Sequence, residues 1–377
     1  MNRIRTEHLQ KLTFHFRRTY KELMCLALGA ASFALGTTLL AQSSPADPLP
    51  PGGVKLQIVT FGDSLEDAGT YSPFARKNFG GGLFTTNPSP IWTQQVAAYY
   101  GDDLKPAFVG GFGQPLQPAG GLGFAQGGSR VALRPGVGYA PAGTPNADFA
   151  LQTTVPVADQ LNQFLSKYGK FQPDQLVLFD GGANDLLFNL QNAESDRLKL
   201  PGALINIDKA AADLADIVDK AIHAGAKHVV LLNLADFGMS PEGVSSKQGP
   251  LITAAVKTFN DTLKATLLIK GDLDKVILID EFSFLDQVVA DFQNYGFTTS
   301  DTGVACDAQA EIAIAAKLKL SNPSFFSDSL FCSPQTLVVP GADQTFIFAD
   351  SVHPTAHYSD IFAHFVERQI AASGLGQ

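Results

Sequence analysis

The chain has 377 residues, 45% of them hydrophobic and 17% charged, with a formal charge of −9. That length allows one large domain or two ordinary ones. So acidic a chain is repelled by phosphate backbones, which argues against nucleic acid as a partner and against docking on membranes through basic charge.

The N-terminus reads as a leader rather than as part of a fold. Arg3, Arg5, Lys11, Arg17, Arg18 and Lys21 precede an uncharged apolar run, Met24 to Ala41, followed by small residues. This is the pattern of a secretory signal peptide, with cleavage after Ala41 or Ala46. The run is also just long enough to serve as an uncleaved membrane anchor. The expected location is therefore secreted or periplasmic. Cys25 is a poor lipoprotein site because Met24 precedes it and most of the apolar run follows it. Residues 42–53 (QSSPADPLPPGG) form a linker without periodicity, so the domain is expected over 54–377.

From there, strand-like runs alternate with helical patterns. Leu56–Phe61 (LQIVTF) is a short apolar run ending in Gly-Asp-Ser, and 90–100 and 155–168 have helical patterns. Gln175–Phe179 (QLVLF) is a second buried-type strand, Ala203–Ala224 a long helix, and His228–Leu234 (HVVLLNL) a third strand. Leu251–Ile269 is helical, Val276–Asp280 (VILID) a fourth strand, and Ile361–Ala371 a terminal helix. This alternation predicts a parallel sheet covered by helices on both faces, with ligands bound beyond the strands' carboxyl ends. Residues 80–90 and 109–145 are dominated by Gly, Pro, Ala and Thr and read as long loops, functional or mobile. The 28 phenylalanines, beside one Trp and three Met, suggest a Phe-built core or an apolar cleft.

Four short segments carry chemistry. Phe61-Gly62-Asp63-Ser64-Leu65 follows the first strand, which places a serine at the sheet edge, where its own N–H can also serve an oxyanion. Gly182-Ala183-Asn184-Asp185 follows the second strand; Asn184 can donate to an oxyanion or cap a helix. Asp350-Ser351-Val352-His353-Pro354 precedes the last helix, and a carboxylate three residues before a histidine can hold its Nδ1–H and leave Nε2 free as a base. Gly123-Phe124-Ala125-Gln126-Gly127-Gly128-Ser129 is a small turn through which backbone can approach a ligand closely. His357 and His364 read as surface or helix residues.

In this order the segments FGDSLEDAG, GFAQGGS, GGAND and DSVHP resemble the blocks of the SGNH/GDSL hydrolase family, and the connecting text NPSPIWTQQVA and NLADFGMSP resembles it too. The resemblance spans about residues 56–372. It implies a three-layer α/β/α fold, flavodoxin-like, around a central parallel sheet. It also implies a secreted serine esterase or lipase with Ser64 as nucleophile, His353 as base and Asp350 as its orienter. The oxyanion donors would be the N–H groups of Ser64 and Gly128, with Gly127 as the alternative, and the Asn184 amide. One departure is Gly123, which stands where the family's glycine block usually opens with Asn.

Other chemistries lack their signatures. There is no G-x-S-x-G, no H-E-x-x-H, no zinc spacing and no G-x-x-x-x-G-K-[ST]. No cofactor or metal is implied, and no stable protein partner; the partner is a small-molecule or lipid ester. Phospholipid, choline ester, acetylated sugar or polyester are the rival substrates, and a catalytically inactive secreted binding protein is the rival from another class. Cys306 and Cys332, the two cysteines past the leader, are expected to pair in an exported protein, the other possibility being two buried thiols.

Overall fold

The computed structural model describes residues 49–139, 152–194 and 199–376. The leader and the start of the linker lie outside the described residues. Among those described, no helix is long and apolar enough to cross a membrane.

Four strands form the central sheet: β1 (Gln57–Phe61), β4 (Gln175–Phe179), β5 (His228–Leu232) and β6 (Val276–Ile279), all parallel and adjacent in that order. A hairpin of β2 (Phe108–Gly111) and β3 (Gln114–Pro118) lies between β1 and β4 in sequence. The β4 segment QLVLF is buried along its whole length, as a strand paired on both edges and covered on both faces must be. Stacking of Phe61 on Phe179, 5.0 Å between ring centres, continues the β1–β4 pairing through the side chains.

Helices cover the sheet in two groups. On one side α3 (Val157–Tyr168), α4 (Ala183–Glu194), α5 (Leu200–His223) and α7 (Gly249–Lys270) pack on one another. The other group holds α2 (Trp92–Tyr99), α8 (Glu281–Ala290) and α11 (Ala356–Ala372), joined through Phe362, whose ring lies 5.3 Å from both Trp92 and Phe284. Helices α1 (Ser72–Phe79), α6 (Pro241–Ser246), α9 (Ala308–Lys317) and α10 (Ala342–Thr345) lie in the connections. This is the α/β fold with a central parallel sheet expected from the alternating pattern.

Two differences from the expectation have physical causes. The C-terminal helix begins at Ala356, five residues before the predicted start, because Thr355 caps it by accepting the Tyr358 N–H; the polar first turn hides this start from an apolar-periodicity reading. The packed body also begins inside the predicted linker: the Gly52 N–H donates to the Tyr99 carbonyl and Gly52 is buried.

A second, small sheet positions one of the chemical motifs. Strands β7 (Thr299–Val304) and β8 (Phe346–Phe348) run parallel, and the ladder continues as Cys306 N–H donates to the Ala349 carbonyl. Cys306 and Cys332 are joined in a disulfide, Cα–Cα 5.8 Å, closing a 26-residue separation. Such a closure contributes about 3–4 kcal/mol in the chain-entropy account. Both halves of the bridge touch the Asp350 segment: Cys306 through Ala349, and the Cys332 side through Ser329, whose N–H donates to Asp350 Oδ2 at 2.7 Å. Reduction is therefore expected to lower Tm and to loosen the Asp350 segment. Calorimetry with and without reductant, with a Cys306→Ala/Cys332→Ala protein alongside, checks this; an unchanged Tm on full reduction contradicts it.

The phenylalanines serve both expected purposes. Phe61, Phe124, Phe164, Phe171 and Phe179 belong to the main core, and Phe79, Phe84, Phe112, Phe326 and Phe331 form a second cluster around Tyr71. Phe84, Phe237 and Phe325 also line a cleft at the carboxyl end of the sheet.

Candidate active site

Ser64 sits three residues past β1, in the turn Gly62-Asp63-Ser64. The turn is clamped by a side chain that motif reading missed. Gln160 of α3 pairs with the Gly62 backbone both ways, accepting its N–H at 2.9 Å and donating to its carbonyl at 2.8 Å.

Three buried carboxylates lace the sequence motifs together. Asp67 accepts the N–H groups of Gly69 and Thr70 with one oxygen and that of Gly127 with the other, at 2.9 Å. Asp185 holds Arg130 Nε at 2.9 Å and the Val131 N–H at 2.8 Å, tying the start of α4 to the glycine block. Asp63 accepts from Asn184 Nδ2 at 3.1 Å and from the Leu65 N–H at 3.2 Å. A buried carboxylate keeps its charge at small cost only when so satisfied, and these three acids stand beside the glycines and amides that satisfy them.

The glycine block adopts a backbone that side chains would forbid. Gly128 has φ +78°, and a Cβ there would run into the Val137 carbonyl. The Gly127 N–H is already taken by Asp67, whereas Gly128 lines the cleft.

Asn184 lies in the first turn of α4, yet its amide does not cap. A cap accepts backbone N–H groups; Asn184 Nδ2 instead donates, to Asp63 Oδ2 at 3.1 Å and to the Ser129 carbonyl at 3.0 Å. Both partners are acceptors, so the amide nitrogen is the atom held toward the glycine block.

The Asp350–His353 turn follows β8 directly and closes on itself, with the Ala349 N–H donating to the His353 carbonyl at 2.8 Å. Asp350 Oδ1 accepts the Val352 and His353 N–H groups. Its Oδ2 meets His353 Nδ1 at 2.7 Å, besides the Ser329 N–H. The far ring nitrogen, Nε2, lies 2.8 Å from Ser64 Oγ, across 289 residues of sequence. Ser64, His353 and Asp350 thus form one hydrogen-bonded chain. Phe84 packs on the His353 ring, 5.1 Å between centres. His357 and His364 lie apart, bound to the Tyr295 carbonyl and to Glu367.

The electrostatics follow from these contacts. Burial works to raise Asp350, but the His353 charge, its hydrogen bond and the backbone N–H groups outweigh it and hold the carboxyl well below the usual range. For His353, burial works downward; the Asp350 charge and hydrogen bond, helped by Asp328 and Asp63, win and hold the ring above its ordinary value. Beneath the serine turn, Asp63, Glu66 and Asp180 bring carboxylate oxygens within 4.8 Å of one another, all buried. Burial, and then the charge of Asp63, push Asp180 up to about 8. Glu66, bonded by Trp92 Nε1, and Glu281 are driven well above their ordinary range, first by burial and then by Asp180. At neutral pH this group holds protons among its members rather than bearing full charge.

The arrangement suits attack by a serine oxygen: a hydroxyl bonded to an imidazole, a carboxylate fixing that ring, and N–H groups beside the hydroxyl. The cleft above it has a volume of about 300 Å³ and sits at the sheet's carboxyl end, as in other open α/β sheets.

Comparison with known proteins agrees with the fold. The chain is 27% identical over 354 residues to the phosphatidylcholine-sterol acyltransferase of Aeromonas hydrophila, covering 83% of this chain and 90% of that one. It is 22% identical over 346 residues to an Arabidopsis thaliana protein named GDSL esterase/lipase, covering 81% and 88%. It is 25% identical over 356 residues to an uncharacterised Pseudomonas putida protein from the trpE-trpG intergenic region; that match covers 90% of this chain but spans only about half of the relative, 52%. Residues 58–366 match the model of the GDSL-like lipase/acylhydrolase family, and the chain belongs to that family.

Proposed function

We propose that this protein is an exported serine esterase or lipase that hydrolyses carboxylic esters through an acyl-enzyme on Ser64. The observation that carries this is the continuous chain from Ser64 Oγ to His353 Nε2 at 2.8 Å and from His353 Nδ1 to Asp350 at 2.7 Å. As Oγ attacks the ester carbonyl, His353 takes its proton. His353 then gives that proton to the leaving alcohol, and water, activated by the same ring, frees the acid. Family membership supports ester chemistry at this site. Export rests on the leader alone.

The oxyanion would rest among the N–H groups of Ser64 and Gly128 and the Asn184 amide. Occupation of the Gly127 N–H by Asp67 favours Gly128 as the backbone donor. Asn184 would share a hydrogen between the oxyanion and its resting acceptors, Asp63 and Ser129.

The same acyl-enzyme could pass its acyl group to an alcohol in place of water, and the name of the Aeromonas relative describes such a transfer. Partition between hydrolysis and transfer is measured by adding an acceptor alcohol and following both products.

A fluorophosphonate probe tests the nucleophile. It should label the native protein at Ser64 with one-to-one stoichiometry and abolish hydrolysis of p-nitrophenyl esters. Labelling elsewhere, or none, sinks the proposal. Asn184→Ala should still take the label, more slowly, with kcat down on the order of 10² and KM little changed, because the donor acts on charge that develops only in the transition state. Unchanged kcat per folded molecule would remove Asn184 from the oxyanion site.

A further inference from the structure

Two acids in the cleft have no part in the mechanism above. Asp328 and Glu242 line it together with Asp63 and Asp350, and no Lys or Arg is among the described residues that line it. Asp63 and Asp350 are absorbed by Asn184 and His353. Asp328 is less satisfied: the Leu330 N–H donates to its Oδ1 at 3.0 Å, and no hydrogen bond from a described residue reaches Oδ2.

Their placement is one-sided. Asp328 immediately precedes Ser329, whose N–H holds Asp350. The Glu242 N–H donates to the carbonyl of Ser351, between Asp350 and His353, at 3.0 Å. Both acids therefore flank the loop that carries His353. Asp63 apart, the lining beside Gly128 and Asn184 is uncharged: Val137, Gln152, Leu187 and Gln191. In ester hydrolysis the imidazole protonates the departing alcohol, so the alcohol lies on the His353 side and the acyl group toward the uncharged lining.

Resting on the serine-esterase reading, we infer that the alcohol half of the substrate carries a positive charge: an alkylammonium alcohol whose cation faces Asp328, with Glu242 adding to the field. Phe325, three residues before Asp328, also lines the cleft, and aromatic rings are the side chains that bind quaternary ammonium groups. The acidic wall also disfavours alcohols that bear phosphate. Asp328 is pushed up to about 7 by burial and then by Asp350, with His353 working the other way, so a bound cation would hold it ionised. Glu311, buried and also near Asp350, adds like charge only when it ionises, and burial pushes it up to about 9.

The experiment compares acetylcholine with 3,3-dimethylbutyl acetate, which has the same shape without the charge, at pH 8 on the full-length protein. We expect kcat/KM for acetylcholine to exceed that for the neutral ester at least about tenfold, and the ratio to fall toward one in Asp328→Asn. Tetramethylammonium should inhibit hydrolysis of the neutral ester competitively in the unaltered protein, a measurement that survives a misfolded variant. If the neutral ester is cleaved with a ratio of one or less and tetramethylammonium does not compete, the inference is overturned while the esterase reading stands. If Asp328→Asn folds and keeps the preference, Asp328 is not the cation's partner and the inference is likewise overturned. If neither ester nor any p-nitrophenyl ester is cleaved, the esterase reading fails and the inference falls with it.

Discussion

Ser64→Ala is expected to fold as the native protein does and to lose about six orders of magnitude in kcat toward esters. Oγ is the only atom the substitution removes from the hydrogen-bonded chain, and the serine is almost fully buried without filling a core position, so stability should hardly change. His353→Ala should cost a comparable factor, since without it nothing takes the Oγ proton. The two losses should not add, because nucleophile and base act as one unit: the double variant should be as slow as either single one. Residual turnover would come from the oxyanion donors alone. His357→Ala and His364→Ala serve as controls, their rings being engaged elsewhere, and should stay within a few-fold of the native rate. Initial rates with a p-nitrophenyl ester, beside circular dichroism to confirm folding, decide the matter. A folded Ser64→Ala protein that keeps a hundredth of the native activity would end the proposed mechanism.

Asp350→Asn should lower kcat about 10⁴-fold near neutral pH, by the logic that holds wherever a carboxylate fixes an imidazole tautomer. It should also cost stability. Oδ2 accepts from both His353 Nδ1 and the Ser329 N–H, and an amide NH₂ in its place would face two donors. The pH profile gives an independent readout. The Asp350 charge is what lifts His353 above its ordinary value against burial. Removing it lets burial prevail, so the acid limb of kcat/KM should move to lower pH while the plateau drops. An acid limb that stays in place would mean that Asp350 does not govern the ring.

Much of this site can be read from the sequence because each motif is local. Ser64, Gly128, Asn184 and Asp350–His353 each sit within five residues of a strand end, a helix start or a glycine that forces the turn. The helices and strands of the main sheet carry enough apolar periodicity to be placed within a few residues. The hairpin at 108–118 does not: FVGG and QPLQP lack alternation, and one strand turns through Gly110 and Gly111 at positive φ. The small β7–β8 sheet escapes for the same reason, since TSDTGV is only partly buried along its length. What the motifs could not reveal is how they are joined. Gln160 clamps Gly62 from 98 residues away, Asp185 reaches Val131 across 54, and Asp67 reaches Gly127 across 60. An acid beside a glycine motif looks like an ordinary turn or cap residue until the fold supplies its partner. Asp328 and Glu242 belong to no motif and become visible only as cleft walls.

The protonated acids under the serine turn make the protein's stability depend on alkalinity. Asp180 titrates near 8 in the folded chain and near ~3.9 once unfolded. Between those values the folded state binds more protons than the unfolded one, so linkage makes stability fall as pH rises through that window and level off above it. Glu66 and Glu281, raised in the same direction, extend the decline to higher pH. The protein should thus tolerate mild acid better than mild alkali, until Asp350 and other carboxylates held low begin to take up protons. Asp180→Asn mimics the protonated form. It should melt several degrees above the native protein at pH 9 and within about a degree of it at pH 4, a pH dependence that a simple loss of packing would not produce. Equal melting temperatures at pH 9 would mean that the interior group carries its charge at little cost. The interior beneath the nucleophile would then have no hold on the conditions under which the whole molecule survives.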